Sequence, residues 1–129
     1  MKYILFVCKE NSARSQMAEA LFNFHNKNPE YFAISAGTTP SFSIKPYAIE
    51  VMGQKGMVLS KKKPKLLNFD TIKKAYKIFT MGCMDSCPLA PPEKTEGWDL
   101  EDPGNEPIEK FREIRDEIEK RIKKLILEL

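Results

Sequence analysis

Residues 3–26, YILFVCKENSARSQMAEALFNFHN, place an unbroken apolar run, a short polar loop and a helical pattern in direct succession. Tyr3 to Val7 is apolar at every position, as expected of a parallel strand buried on both faces. From about Ala13 to Asn26 the apolar residues Met17, Ala18, Leu21, Phe22 and Phe24 recur at helical spacing, and Asn28 and Pro29 end the segment. A strand feeding straight into a helix predicts an α/β chain, and the rest of the sequence continues the alternation. Tyr31 to Ser35 reads as a second strand, closed by Ala36, Gly37 and a loop rich in Thr, Pro and Ser. Pro46 suits the first turn of a helix running to about Lys55, with Gly56 as its stop. A short helix over Phe69 to Ala75 precedes a strand over Tyr76 to Met81, which Gly82 breaks.

The segment from Cys83 to Pro107 contains five prolines and two glycines. It is therefore expected to be mostly irregular, apart from a turn of helix around Cys83 to Cys87, and long loops of this kind are usually functional. Ile108, Phe111, Ile114, Ile118, Ile122 and Leu125 then mark one face of a long amphipathic C-terminal helix. Such an order implies a parallel sheet between helical layers, a three-layer sandwich in one catalytic domain spanning 1–129.

Composition narrows the function classes. Hydrophobic residues make up 42% and charged residues 30% of the 129, a globular balance, and no apolar run approaches the ~20 residues of a membrane span. The run at Tyr3 to Val7 is too short for a signal-peptide core, so a cytoplasmic location is expected. The net charge is +3. The cluster Lys61, Lys62, Lys63 and Lys65 has no aromatic stacking pattern beside it, which favours a solvated face over nucleic-acid binding. Three cysteines form an odd set, which argues against a disulfide framework and toward free, reactive or metal-binding thiols.

The first of these, Cys8, opens CKENSARS, residues 8–15, between the first strand and the first helix. A strand-to-helix turn in a parallel sheet presents unpaired N–H groups and a partial positive charge, so anions bind there. Successive N–H groups of Lys9, Glu10, Asn11, Ser12, Ala13, Arg14 and Ser15 are expected to curl around one tetrahedral oxyanion, with the planar fork of Arg14 clamping two of its oxygens. The same field stabilises a thiolate, which makes Cys8 a nucleophile. Ser12, Asn11 and Ser15 can hold the loop shape, and Ser15 can donate to the sulfur. A bare CX5R match would more often be a buried cysteine and a surface arginine; the strand before it and the helix after it reverse those odds.

CKENSARSQMAEA, residues 8–20, resembles the signature of the low-molecular-weight protein tyrosine phosphatase superfamily, specifically its arsenate reductase branch, which Ser15, Gln16, Met17, Ala18 and Glu19 match. The similarity extends to SAGT at Ser35 to Thr38, the CP step at Cys87 and Pro88, the DP step at Asp102 and Pro103, and FREIRDEI in the last helix, covering nearly the whole chain in order. The resemblance implies a four-stranded parallel sheet with helices on both faces. It also implies reduction of arsenate to arsenite, with phosphate or sulfate as binding analogues and an external thioredoxin-like dithiol as reductant. No bound cofactor, metal or membrane is implied, and a monomer is expected. Hydrolysis of phosphate monoesters is the rival activity, since its first chemical step is the same.

An oxygen expelled by Cys8 needs a proton, and the resemblance assigns the general acid to Asp102, with Asp99 and Glu101 as fallbacks. Cys83 and Cys87 admit three readings: half a zinc site, which lacks further ligands because His25 sits alone in the middle of the first helix; inert packing cysteines; or a disulfide relay. The resemblance implies the last, in which Cys83 attacks the sulfur of a Cys8–arsenate adduct and Cys87 then attacks Cys83. Some positions depart from the family pattern. Glu10 stands where glycine is usual and is expected to face solvent. Ala13 replaces a cysteine, leaving no resolving thiol in the loop, and the distal pair is spaced CX3C rather than CX6C. Asn11, Glu19 and Ser35 match residues that bind a monovalent cation in some relatives. Lys65 stands at the fourth position, and its ammonium group is expected to replace the ion.

Overall fold

The computed structural model describes residues 1–82 and 90–129. Strand β1 (Lys2–Cys8) leads into helix α1 (Arg14–His25), then strand β2 (Tyr31–Gly37), helix α2 (Pro46–Gly53), helix α3 (Phe69–Lys74), strand β3 (Lys77–Met81), strand β4 (Thr95–Trp98) and helix α4 (Ile108–Glu128). The four strands form one sheet in the order β2-β1-β3-β4, and every pair is parallel. β1 is thus a central strand, and its C-terminal end, carrying Cys8, lies at the end of the sheet where α/β folds bind ligands.

Alternation along β1 divides the core between the two faces. Ile4, Phe6 and Cys8 belong to the larger apolar cluster with Met17, Leu21 and Phe22 of α1, Val51 and Met52 of α2, and Phe111, Ile114, Ile118 and Ile122 of α4. Leu5 and Val7 belong to the smaller one, with Ala36, Ile72 of α3, Ala75 and Ile78. The continuous apolar run therefore reflects burial on both faces, as the pattern predicts. Phe6 is fully buried and packs against the rings of Phe22, Phe79 and Trp98 at 5.6–6.3 Å between centroids. Each such side chain removed from water contributes about 2–3 kcal/mol, which fixes the strand whose end holds the site.

The helices end where the sequence predicts. Gly56 has φ +85°, and the Met57 N–H reaches back to Met52 O at 3.0 Å, a left-handed C-terminal stop that favours glycine. Two differences stand out. The stretch from Cys83 to Pro107, expected to be irregular, contains β4. TEGW is a four-residue edge strand whose pairing with β3 is made by backbone and whose only buried side chain is Trp98, so it leaves almost no hydrophobic pattern to read. His25 is the last residue of α1 rather than a mid-helix residue. The helical turn expected at Cys83 to Cys87, and both of those thiols, lie outside the described residues.

Candidate functional site

The turn joining β1 to α1 is shaped by the segment that follows β2. The N–H groups of Thr38, Thr39, Ser41 and Lys45 donate to the carbonyls of Cys8, Lys9, Glu10 and Ser12 at 2.8–3.3 Å. A peptide plane whose carbonyl is drawn outward turns its own N–H the other way. The amides of Lys9, Glu10, Asn11 and Ala13 are thereby directed away from the 38–45 segment, the arrangement of a backbone N–H nest. Asn11 takes a positive φ of 52°, a conformation asparagine tolerates better than most residues. Ala13 supplies no side-chain cap to α1, and no acidic residue lies in its first turn. The positive end of the helix is left for a ligand.

The sulfur of Cys8, buried at 2% exposure, is met by the Asn11 N–H at 3.2 Å and by Ser15 Oγ at 2.9 Å. The direction of the second bond follows from the surrounding network. Asn11 Oδ1 accepts from the Lys65 N–H at 2.9 Å and from Gln16 Nε2 at 3.0 Å, so its amide nitrogen is the atom that faces Ser15 Oγ at 2.7 Å. Ser15 Oγ accepts that bond, which leaves its hydroxyl proton for the sulfur. Two hydrogen-bond donors thus converge on one buried sulfur.

Arg14, 6% exposed, is anchored through Nη1 to Met81 O at 2.6 Å and Leu100 O at 3.2 Å. One end of its guanidinium is thus held by the ends of β3 and of the segment after β4. Its Nη2 lies 3.7 Å from Asp102 Oδ2. The other oxygen of Asp102 accepts the Gly104 N–H at 3.0 Å, so the carboxyl is oriented with one oxygen toward the arginine. Glu101 pairs instead with Lys110 of α4 at 2.9 Å, and Asp99 borders a groove with Lys110 and Glu113. Among the three carboxylates considered, Asp102 is the one the fold brings to Arg14. A cleft of about 350 Å³ runs between Lys45, Pro46 and Tyr47 on one side and Gly104, Asn105 and Glu106 on the other.

A family model described as Low molecular weight phosphotyrosine protein phosphatase matches residues 3–129. The chain belongs to this family. It is 36% identical over 132 residues to an arsenate reductase of Shouchella clausii, with 95% of this chain and 94% of that protein covered. Its fold superposes on a low molecular weight protein tyrosine phosphatase from T. tengcongensis with a TM-score of 0.89, at 28% identity over the whole of both chains. It also superposes, with a TM-score of 0.80 and 32% identity, on a thioredoxin-dependent arsenate reductase of Corynebacterium glutamicum, covering 99% of this chain and 60% of the other. The family's four-stranded parallel sheet with flanking helices is the architecture observed here.

Within this family fold, Glu19 of α1 is a buried carboxylate behind the oxyanion loop. It accepts the Ser35 hydroxyl at 2.7 Å and lies 3.3 Å from Lys62 Nζ and 3.6 Å from Lys65 Nζ. Sequence reasoning singled out Lys65 but missed Lys62. It also missed two glycines. A Cβ on Gly37 would lie 2.7 Å from Lys9 O, and one on Gly82, where φ is +74°, would lie 2.7 Å from Arg14 Nη1. Both sit at strand ends facing the loop, a position that in hindsight signals a need for close approach. His25, weighed as a lone metal ligand, bonds Glu119 at 2.7 Å, and no group of three or more metal-ligating side chains occurs among the described residues.

Proposed function

We propose that the protein reduces arsenate to arsenite, with Cys8 as nucleophile and Cys83 and Cys87 as an intramolecular relay. Attack on a tetrahedral oxyanion rests on the doubly donated sulfur of Cys8 at an amide nest, with Arg14 in contact with Asp102, and the choice of arsenate rests on the 36% identity to an arsenate reductase over nearly the whole chain. The N–H groups of Lys9 to Ser15 and the Nη2 edge of Arg14 bind the oxyanion and stabilise charge as it shifts in the transition state. The Cys8 sulfur attacks arsenic, and one oxygen departs as water with a proton from Asp102. Cys83 thiolate then attacks the Cys8 sulfur. An S–S bond forms, the S–As bond breaks, and its electron pair passes to arsenic, which leaves as arsenite. Cys87 attacks Cys83 and returns Cys8 as a thiolate. A thioredoxin-like dithiol reduces the resulting Cys83–Cys87 disulfide, consistent with the thioredoxin-dependent neighbour. Ala13 supports the use of distal thiols, because the loop itself offers no second cysteine.

Residues 1–129 act as one catalytic domain, monomeric and cytoplasmic, with no nucleic-acid or membrane partner. No helix among the described residues is long and apolar enough to cross a membrane. The enzyme works without a bound cofactor, and Lys62 and Lys65, 3.3 and 3.6 Å from Glu19, stand in place of a potassium ion. The likeness to the T. tengcongensis phosphatase supports phosphate-monoester hydrolysis as the second reading, which needs Cys8, Arg14 and Asp102 but neither distal cysteine.

Arsenate supplied with thioredoxin, thioredoxin reductase and NADPH separates the two readings. Multiple turnover by the wild type, lost in each of the Cys8→Ser, Cys83→Ser and Cys87→Ser variants, supports the relay. Turnover that survives Cys83→Ser refutes it, and hydrolysis of aryl phosphates without arsenate turnover selects the phosphatase reading.

A further inference from the structure

A carboxylate on a loop whose amides converge on an anion is electrostatically out of place, yet Glu10 lies within that loop, two residues after Cys8. Its side chain is 38% exposed, and Oε1 is met by Ser41 Oγ at 2.7 Å, Ser12 Oγ at 3.5 Å and Lys45 Nζ at 3.8 Å. Glu10 and Ser41 are also joined through the main chain, where the Ser41 N–H donates to Glu10 O at 3.0 Å. The two residues therefore form a two-point latch between the oxyanion loop and the 38–45 segment.

That segment has little else to hold it. Between Thr38 and Lys45 only Ile44 is buried, while Phe42, next to Ser41, is 101% exposed. Its position depends on polar bonds, and the same bonds draw the loop carbonyls outward. The peptide whose carbonyl belongs to Glu10 carries the Asn11 N–H, which is the one that reaches Cys8 Sγ. Whatever fixes Ser41 thus fixes a donor on the nucleophile.

We infer that the Glu10 side chain is a positioning residue for oxyanion binding, acting through the hydrogen bond it accepts from Ser41, so that truncating it weakens anion binding even though a negative charge is removed from the loop. The inference rests on the reading of residues 8–15 as an oxyanion site and does not depend on which oxyanion is turned over. Ser41 and Lys45 keep the carboxylate on the outer edge of the loop, where its hydrogen bond to Ser41 acts at contact and its repulsion of the anion is offset by the lysine charge.

The test is the Kd for inorganic phosphate, measured by calorimetry on the full chain and its Glu10→Ala, Glu10→Gln, Ser41→Ala and Glu10→Ala/Ser41→Ala variants. Loss of one hydrogen bond to a charged acceptor predicts a rise of about tenfold for Glu10→Ala and for Ser41→Ala. The double variant should be no worse than either single one, because both remove the same bond. Glu10→Gln, which keeps an oxygen for Ser41, should recover most of the affinity. In arsenate turnover the loss should appear in KM with kcat little changed. Tighter phosphate binding by Glu10→Ala and Glu10→Gln alike, an unchanged Kd, or additive effects in the double variant each overturn the inference. A wild type that binds no phosphate refutes the site itself and is recognised before any variant is made.

Discussion

Replacing Gly82 by alanine tests how the end of β3 governs Arg14. The residue has φ +74°, and a Cβ there would lie 2.7 Å from Arg14 Nη1 and 3.1 Å from Leu100 O. Holding alanine in a left-handed conformation costs about 1–2 kcal/mol, which for a chain of this size lowers Tm by roughly 3–10 °C. The steric contact has a separate effect. Arg14 Nη1 cannot simply swing aside, because it donates to Met81 O and Leu100 O. Moving it by the several tenths of an ångström that a methyl group requires breaks or strains at least one bond from a charged donor, worth about 1.5–3 kcal/mol. Oxyanion affinity should therefore fall about tenfold to a hundredfold. Calorimetric titration with inorganic phosphate reads the binding effect and a thermal melt reads the backbone effect. Gly53→Ala is the control, since a Cβ there meets nothing within 4 Å; it should raise stability by about 0.5–1 kcal/mol and leave phosphate affinity alone. A Gly82→Ala variant with lowered Tm but wild-type phosphate affinity would show that Gly82 does not set the position of Arg14.

Other consequences are open to simpler checks. Asp102→Asn should slow formation of the Cys8 adduct by 10²- to 10⁴-fold, on the order expected for a lost general acid, with little change in phosphate Kd; a collapse of binding would make Asp102 a structural residue. Arsenate turnover should be the same in potassium and sodium buffers of equal ionic strength, and a potassium requirement would show that Lys62 and Lys65 do not complete the charge of Glu19. Glu119 links α4 to Lys55 at 2.8 Å and to His25 at 2.7 Å. Burial pushes its carboxyl up, but hydrogen bonds from Lys55 and His25 outweigh burial and hold it below the usual carboxylate value. Its contribution to stability is complete above the unfolded pKa of about 4.3 and is lost as the pH falls through the depressed folded value. Denaturant melts of wild type and Glu119→Gln should differ most above pH 5 and converge in more acid solution; a gap independent of pH would rule out the linkage.

Several features of this molecule are legible in the chain alone, because they arise from local chemistry. The apolar run at Tyr3 to Val7 demands burial on both faces wherever it sits, and the spacing of Ile114, Ile118 and Ile122 demands a helix with one buried stripe. The strand-to-helix turn between Cys8, which ends β1, and Arg14, which begins α1, is likewise local. Strand β4 was not legible, since four residues with one buried side chain carry too little period and acquire their conformation by pairing with β3. The tertiary structure also decided which carboxylate meets Arg14. The resemblance at the DP step singles out Asp102 over Asp99 and Glu101, but only the path of the chain after β4 brings it to 3.7 Å from the guanidinium while Glu101 turns to Lys110. The outward carbonyls of the oxyanion loop, the latch at Glu10 and the space left by Gly37 and Gly82 follow the same rule. Each is a contact between segments roughly 30 to 70 residues apart, and such contacts are set by how the layers pack.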